Sequence, residues 1–138
     1  MADNYITGCG IHHIAVRVLD FEAAKKFYLD GLGFTIFKEW GAPDRRIALV
    51  DTGNGNYLEI FSGAPAGTIN SDCAGSLVHI ALRVSDARAA YERAIACGAV
   101  PHILPKDTQL PSEPPFPVSI AFVKGPDGEI IEFFQERG

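Results

Sequence analysis

The chain has little of what marks several common protein classes. Its 138 residues hold three cysteines, Cys9, Cys73 and Cys97. That odd number, with no Cys-x-x-Cys pair, indicates neither a disulfide framework nor a thiolate zinc site. Such usage fits a reducing, cytoplasmic setting. No apolar run approaches the roughly 20 residues that a bilayer-spanning helix needs. The opening Met-Ala-Asp-Asn-Tyr-Ile-Thr-Gly lacks the basic and apolar regions of a signal peptide. Positive charge is also scarce: 12 Lys and Arg against 17 Asp and Glu leave a formal net charge of −5. That balance argues against nucleic acid or an anionic membrane as the main partner. It still admits an anionic small molecule at a local arginine.

What is present is a repeat. Residues 11 to 20 read Ile-His-His-Ile-Ala-Val-Arg-Val-Leu-Asp, and residues 76 to 86 read Ser-Leu-Val-His-Ile-Ala-Leu-Arg-Val-Ser-Asp. Aligned on His13 and His79, the two share His, Ile, Ala, Arg, Val and Asp at an offset of 66, about half the chain. Each segment ends at a residue able to cap a helix. Asp20 precedes Phe21 to Leu32, with apolar residues at helical spacing, and Ser85 or Asp86 precedes a helix to Cys97. Gly31, Gly33 and Gly98 end these helices, and Cys97 reads as a small packing residue. Three strand-like segments follow each helix: 34–40, 45–51 and 56–62, then 100–104, 118–124 and 129–135. Thr52-Gly-Asn-Gly and Gly125-Pro-Asp-Gly supply hairpin turns.

The pattern is βαβββ twice, an α+β class, with modules at about 10–63 and 76–136 and a glycine-rich linker at about 64–75. A single domain of 1–138 is expected, long enough for one hydrophobic core. Pro105 to Pro117 contains five prolines, and proline cannot donate to a sheet ladder. That stretch therefore reads as a loop, either a lid or substrate wall or a solvated excursion.

Strand alternation sorts the repeated residues onto two faces. Ile14, Val16 and Val18 share one face, as do Ile80, Leu82 and Val84, and these suit helix packing. His13, Ala15 and Arg17 share the other, matched by His79, Ala81 and Arg83. The last strand of each half adds a carboxylate among apolar neighbours, Glu59 between Tyr57 and Phe61, and Glu132 between Ile130 and Phe134. Burying a carboxylate is costly unless it is paired or bound to a metal. Singly, a strand histidine more often makes a structural hydrogen bond, and a strand glutamate more often faces solvent. Their symmetric repetition favours a shared metal site. Two imidazoles and two carboxylates without sulfur suit nickel, zinc, cobalt, manganese or ferrous iron rather than copper(I). His12, which alternation points away from His13, and His102 read as structural or exposed.

These residues resemble the vicinal oxygen chelate superfamily, the glyoxalase, bleomycin-resistance and extradiol dioxygenase group. The motifs are His13-Ile-Ala-Val-Arg-Val, the helix end Phe27-Tyr28-Leu-Asp-Gly-Leu-Gly33-Phe34, then His79-Ile-Ala-Leu-Arg-Val and Asp127-Gly-Glu-Ile-Ile-Glu132. The resemblance implies two βαβββ modules whose sheets curve around a metal. The set His13, Glu59, His79 and Glu132 is similar to that of bacterial glyoxalase I. That similarity implies a metal-dependent enzyme, with nickel or zinc the first expectation, acting on the hemithioacetal of methylglyoxal and a thiol such as glutathione. Glu132 would be the general base, Glu59 would assist proton return, and Arg17 would hold a substrate carboxylate. Where glyoxalase I commonly has Asn, four residues after Glu59, this chain has Gly63. Acyl-CoA epimerases and iron-dependent extradiol dioxygenases are alternatives of the same fold. The epimerases usually carry Gln at the position of Glu59, and the dioxygenases would leave Glu59 surplus. Noncatalytic antibiotic-binding members often lack the four ligands. Relatives of this size usually form homodimers, often with each site built from two subunits.

Overall fold

A computed structural model describes residues 11–64 and 79–138. The expected linker from residue 65 on, the beginning of the second histidine segment, Cys9 and Cys73 lie outside the described residues. In chain order the elements are β1 His13–Arg17, α1 Phe21–Lys26, β2 Thr35–Ala42, β3 Arg45–Gly53 and β4 Asn56–Phe61. The second half repeats them as β5 Ile80–Arg83, α2 Ala87–Ala96, β6 Val100–Leu110, β7 Phe116–Lys124 and β8 Ile130–Glu136. Each half forms a four-stranded sheet, in the order β1-β4-β3-β2 and β5-β8-β7-β6. The first strand of each is parallel to the last, and the other pairings are antiparallel. The βαβββ reading holds in both halves.

Local chemistry accounts for the helix starts. The side chains of Asp20 and Asp86 accept hydrogen bonds from Ala23 N and Ala89 N, each at 3.0 Å. Both aspartates have extended backbone, as N-caps do. Replacing Asp86 with Ala should therefore lower stability by about 1 kcal/mol. Urea unfolding would register this as an earlier midpoint with an unchanged slope.

The first helix departs from the expected run to Leu32. After Lys26 it widens into one π-helical turn, Phe27–Gly31, which buries Phe27, Tyr28 and Gly31. A Cβ at Gly31 would lie 3.1 Å from Cys97 Cβ, so glycine permits this close approach of the two halves. Arg93 of α2 donates to the Gly31 and Asp30 carbonyls, each at 2.9 Å, satisfying groups that the helix end leaves free. The halves are tied again where Leu19 N donates to Asp127 Oδ1 at 2.6 Å. The buried core is likewise shared, with Val18, Phe21, Tyr28 and Ile60 in one cluster with Ile80, Tyr91, Ile131 and Phe133.

One expectation needs correction. The proline-rich segment is not a loop from Pro105 to Pro117: β6 continues to Leu110 and β7 begins at Phe116. β6 is the outer strand of its sheet. Its ladder has irregularities between Pro101 and Ile103 and between Ile103 and Lys106. Proline is tolerated at edges and bulges because the missing N–H is not needed there. Only 111–115 remain irregular between the two strands. The turns follow the sequence more closely. Asn54 and Gly55, with φ of 58° and 75°, form the β3–β4 turn, and both angles are positive as a type I′ hairpin requires.

The consequence for function is positional. Ile14, Val16, Leu82 and Val84 pack against the common core. The opposite face of each sheet is left for the histidines and glutamates.

Candidate metal centre

Register brings each histidine to its glutamate. In the first sheet Ala15 pairs with Glu59 and Leu49 lies on its other side. In the second, Ala81 pairs with Glu132 and Phe122 lies on its other side. A methyl group beside each carboxylate leaves room for the imidazole two residues earlier. His13 Nε2 lies 3.4 Å from Glu59 Oε1, and His79 Nε2 lies 3.0 Å from Glu132 Oε1. Glu132 is the more enclosed carboxylate, at 7% exposure. Burial raises its pKa above the ordinary carboxylate value, and the charge of His79 partly offsets this.

These separations bear on whether a metal fits. With ligand bonds of about 2.0–2.2 Å, two donors on one ion lie about 3.0 Å apart at a right angle and about 3.4 Å apart at the tetrahedral angle. Both pairs match that spacing. Within one chain the pairs remain separate. No group of three or more His, Cys, Asp or Glu residues able to hold an ion occurs among the described residues.

Aromatic rings line these faces. Tyr57 stacks against His12, with ring centres 4.8 Å apart, and Phe37 packs on it at 5.0 Å. Phe122 meets the His79 ring edge-on at 5.4 Å, and Phe116 packs on Phe134. Trp40 and Phe37 are about half exposed on outer strand β2. Arg17 lies over the Phe61 ring at 5.3 Å and donates through one nitrogen to the Ser62 carbonyl at 3.1 Å.

His12 and Glu129 gain significance in three dimensions. His12 is exposed, as expected, but it is not turned away from His13. Their Nδ1 atoms are 2.9 Å apart. The strand begins at His13, so alternation does not govern the residue before it. His102 is also exposed, with its ring 6.3 Å from Phe122. Glu129 folds beneath Gly125, where its carboxylate accepts from Asp127 N at 3.1 Å. Burial pushes its pKa up to about 7. In the sequence it is simply the first position of the strand-like segment 129–135.

Comparison with known proteins now identifies the group. The Glyoxalase/Bleomycin resistance protein/Dioxygenase superfamily matches residues 10–133. The chain belongs to that superfamily. In this glyoxalase superfamily the chain is similar to the uncharacterized protein YwkD of Bacillus subtilis (strain 168), 37% identical over 78 residues. That match takes in 54% of this chain and 60% of the relative, less than two thirds of its length. Among solved structures, TnmS3, an antibiotic binding protein from Streptomyces sp. CB03234, is 25% identical with a TM-score of 0.71, covering 96% of this chain and 100% of that one. A trypanothione-dependent glyoxalase I of Leishmania major is 22% identical with a TM-score of 0.69, covering 94% and 88% respectively. At that identity the second likeness shows the fold alone. The superfamily's own description takes in both enzymes and resistance proteins, and its members typically bind divalent metals and often form dimers. No helix among the described residues is long and apolar enough to cross a membrane.

Proposed function

We propose that this chain is the subunit of a metal-dependent isomerase of the glyoxalase I type, a cytoplasmic homodimer whose subunit is one domain of two modules. His13, Glu59, His79 and Glu132 hold one divalent ion, nickel or zinc before cobalt, manganese or iron. The first-module pair of one subunit joins the second-module pair of the other. The observation that carries this reading is the donor spacing of 3.4 and 3.0 Å within the two pairs. Their separation within one chain motivates assembly across a dimer.

The substrate is the hemithioacetal of methylglyoxal with a thiol such as glutathione. Glu132 removes the proton from the carbon bearing sulfur, and Glu59 helps return it to the neighbouring carbon, yielding the lactoyl thioester. A bound divalent ion supplies Lewis acidity for the negative charge that develops between the two transfers. The apolar neighbours of Glu132 favour a carboxylate that accepts a proton readily. Arg17 binds a carboxylate of the thiol: one N–H is taken by Ser62, and a guanidinium has five.

Elemental analysis of unsupplemented protein, followed by an assay of thioester formation, tests this reading. Nickel or zinc should stimulate the rate, and a rate no higher than the metal-free blank would reject this substrate. A second reading, noncatalytic sequestration of a small aromatic compound, is favoured by half-exposed Phe37 and Trp40 and by the likeness to TnmS3. It predicts protein that purifies without metal, and ligand affinity unchanged by Glu132→Gln.

A further inference from the structure

We infer that His12 is a positioning residue for His13, accepting its Nδ1–H and so holding Nε2 unprotonated and aimed at Glu59. This rests on the metal reading above but adds a residue to it. A neutral imidazole carries one N–H, so a histidine that ligates through one ring nitrogen must bear its proton on the other. That proton needs an acceptor to fix both tautomer and ring orientation. Carboxylates and backbone carbonyls commonly play this part.

In this chain the neighbouring group is another imidazole. The Nδ1 atoms of His12 and His13 are 2.9 Å apart, a distance at which one must donate and the other accept. The two rings are nearly perpendicular, at 87°. If His12 donated, the His13 proton would occupy Nε2, the atom facing Glu59. That would block the ligating lone pair. If His13 donates, Nε2 is free and the His12 proton rests on its own Nε2.

His12 is held for this task independently of His13. Its ring stacks on Tyr57 at 4.8 Å with an interplanar angle of 27°, and its carbonyl accepts Tyr57 N at 3.2 Å. The same residue thus anchors both the backbone and the ring. The repeat supplies an internal contrast. At the offset of 66 the counterpart of His12 is Val78, which has no ring nitrogen. The support belongs to the first half only.

Two variants separate the hydrogen bond from the stacking. His12→Phe keeps a ring on Tyr57 but removes the acceptor, whereas His12→Asn supplies a side-chain carbonyl of similar reach. In a zinc titration against a chromophoric chelator, His12→Phe should weaken affinity about tenfold, and His12→Asn should restore most of it. Nitrogen NMR of zinc-loaded protein should show the His13 Nδ1 proton shared with a nitrogen acceptor, as a coupling across the N–H···N bond to His12, in the native chain and not in His12→Phe, leaving His79 unchanged. Equal zinc affinity for native and His12→Phe, or no such coupling in the zinc-loaded native chain, would overturn the inference. If the native protein bound no zinc, the four-ligand reading would fall and this inference with it, whereas zinc binding without the coupling would overturn the inference alone.

Discussion

Glu132→Gln should lower turnover of the hemithioacetal by about 10²–10⁴-fold, the range expected when a positioned general base is removed. The amide matches the carboxylate in shape but cannot take the proton. Glu132 is suited to this role because its sheet neighbours are Ala81 and Phe122 and because it is almost wholly enclosed. A neutral amide costs less to bury than a carboxylate, so the variant should fold at least as well as the native chain. Circular dichroism and thermal unfolding would verify this beside the kinetics. Zinc affinity should fall too, because an amide oxygen contributes no charge to offset the ion. Single-turnover measurements at saturating metal therefore isolate the chemical step. Turnover within a factor of a few of native under those conditions would remove Glu132 as the base. Glu59→Gln gives the comparison: it should impair metal binding similarly but slow the first proton abstraction less.

Much of this site was legible because strand periodicity and repetition are local properties. The placement of His13, Ala15 and Arg17 opposite Ile14, Val16 and Val18 needed only the two-residue alternation of a strand. The pairing of Ala15 with Glu59, and of Ala81 with Glu132, gives that reading a register. Both aspartate caps and the Asn54–Gly55 turn follow from side-chain chemistry within four residues. Other features depended on distant contacts. Pro105 lies in a strand because β6 is an edge, and edge position belongs to the whole sheet. The π-helical turn at Phe27–Gly31 accompanies contacts from Cys97 and Arg93, more than 60 residues away. The place of His12 depended on the exact first residue of β1. Whether the two His–Glu pairs share one ion depends on how subunits assemble, an arrangement that alternation within a strand cannot encode.

The second large effect concerns stability, and it centres on Glu129. Its carboxyl is raised from the ordinary 4.5 to about 7, first by burial and then by the charge of Asp127, against the opposing hydrogen bond from Asp127 N. The folded state therefore holds a proton that the unfolded chain has released between about pH 4.5 and 7. The linked stability is full below 4.5 and is lost as pH rises through 7. A move of that size corresponds to about 3 kcal/mol. Above pH 7 the native chain carries this cost as a buried charge near Asp127, itself raised by burial and by Asp20. Tyr28, whose buried hydroxyl has no hydrogen-bond partner among the described residues, is also raised by burial and by the charges of Glu129 and Asp127, but it titrates outside this window. Glu129→Gln keeps an oxygen to accept from Asp127 N and abolishes the charge. The variant should match the native chain near pH 4.5 and exceed it by about 3 kcal/mol at pH 8, on the order of 10 °C in melting temperature for a chain of this length. Asp127 titrates in both proteins, so its contribution largely cancels in the difference. Melting curves followed from pH 4.5 to 8 in metal-free buffer would decide the matter. A constant offset between the two proteins would mean that Glu129 is solvated and that the turn before β8 stores no charge.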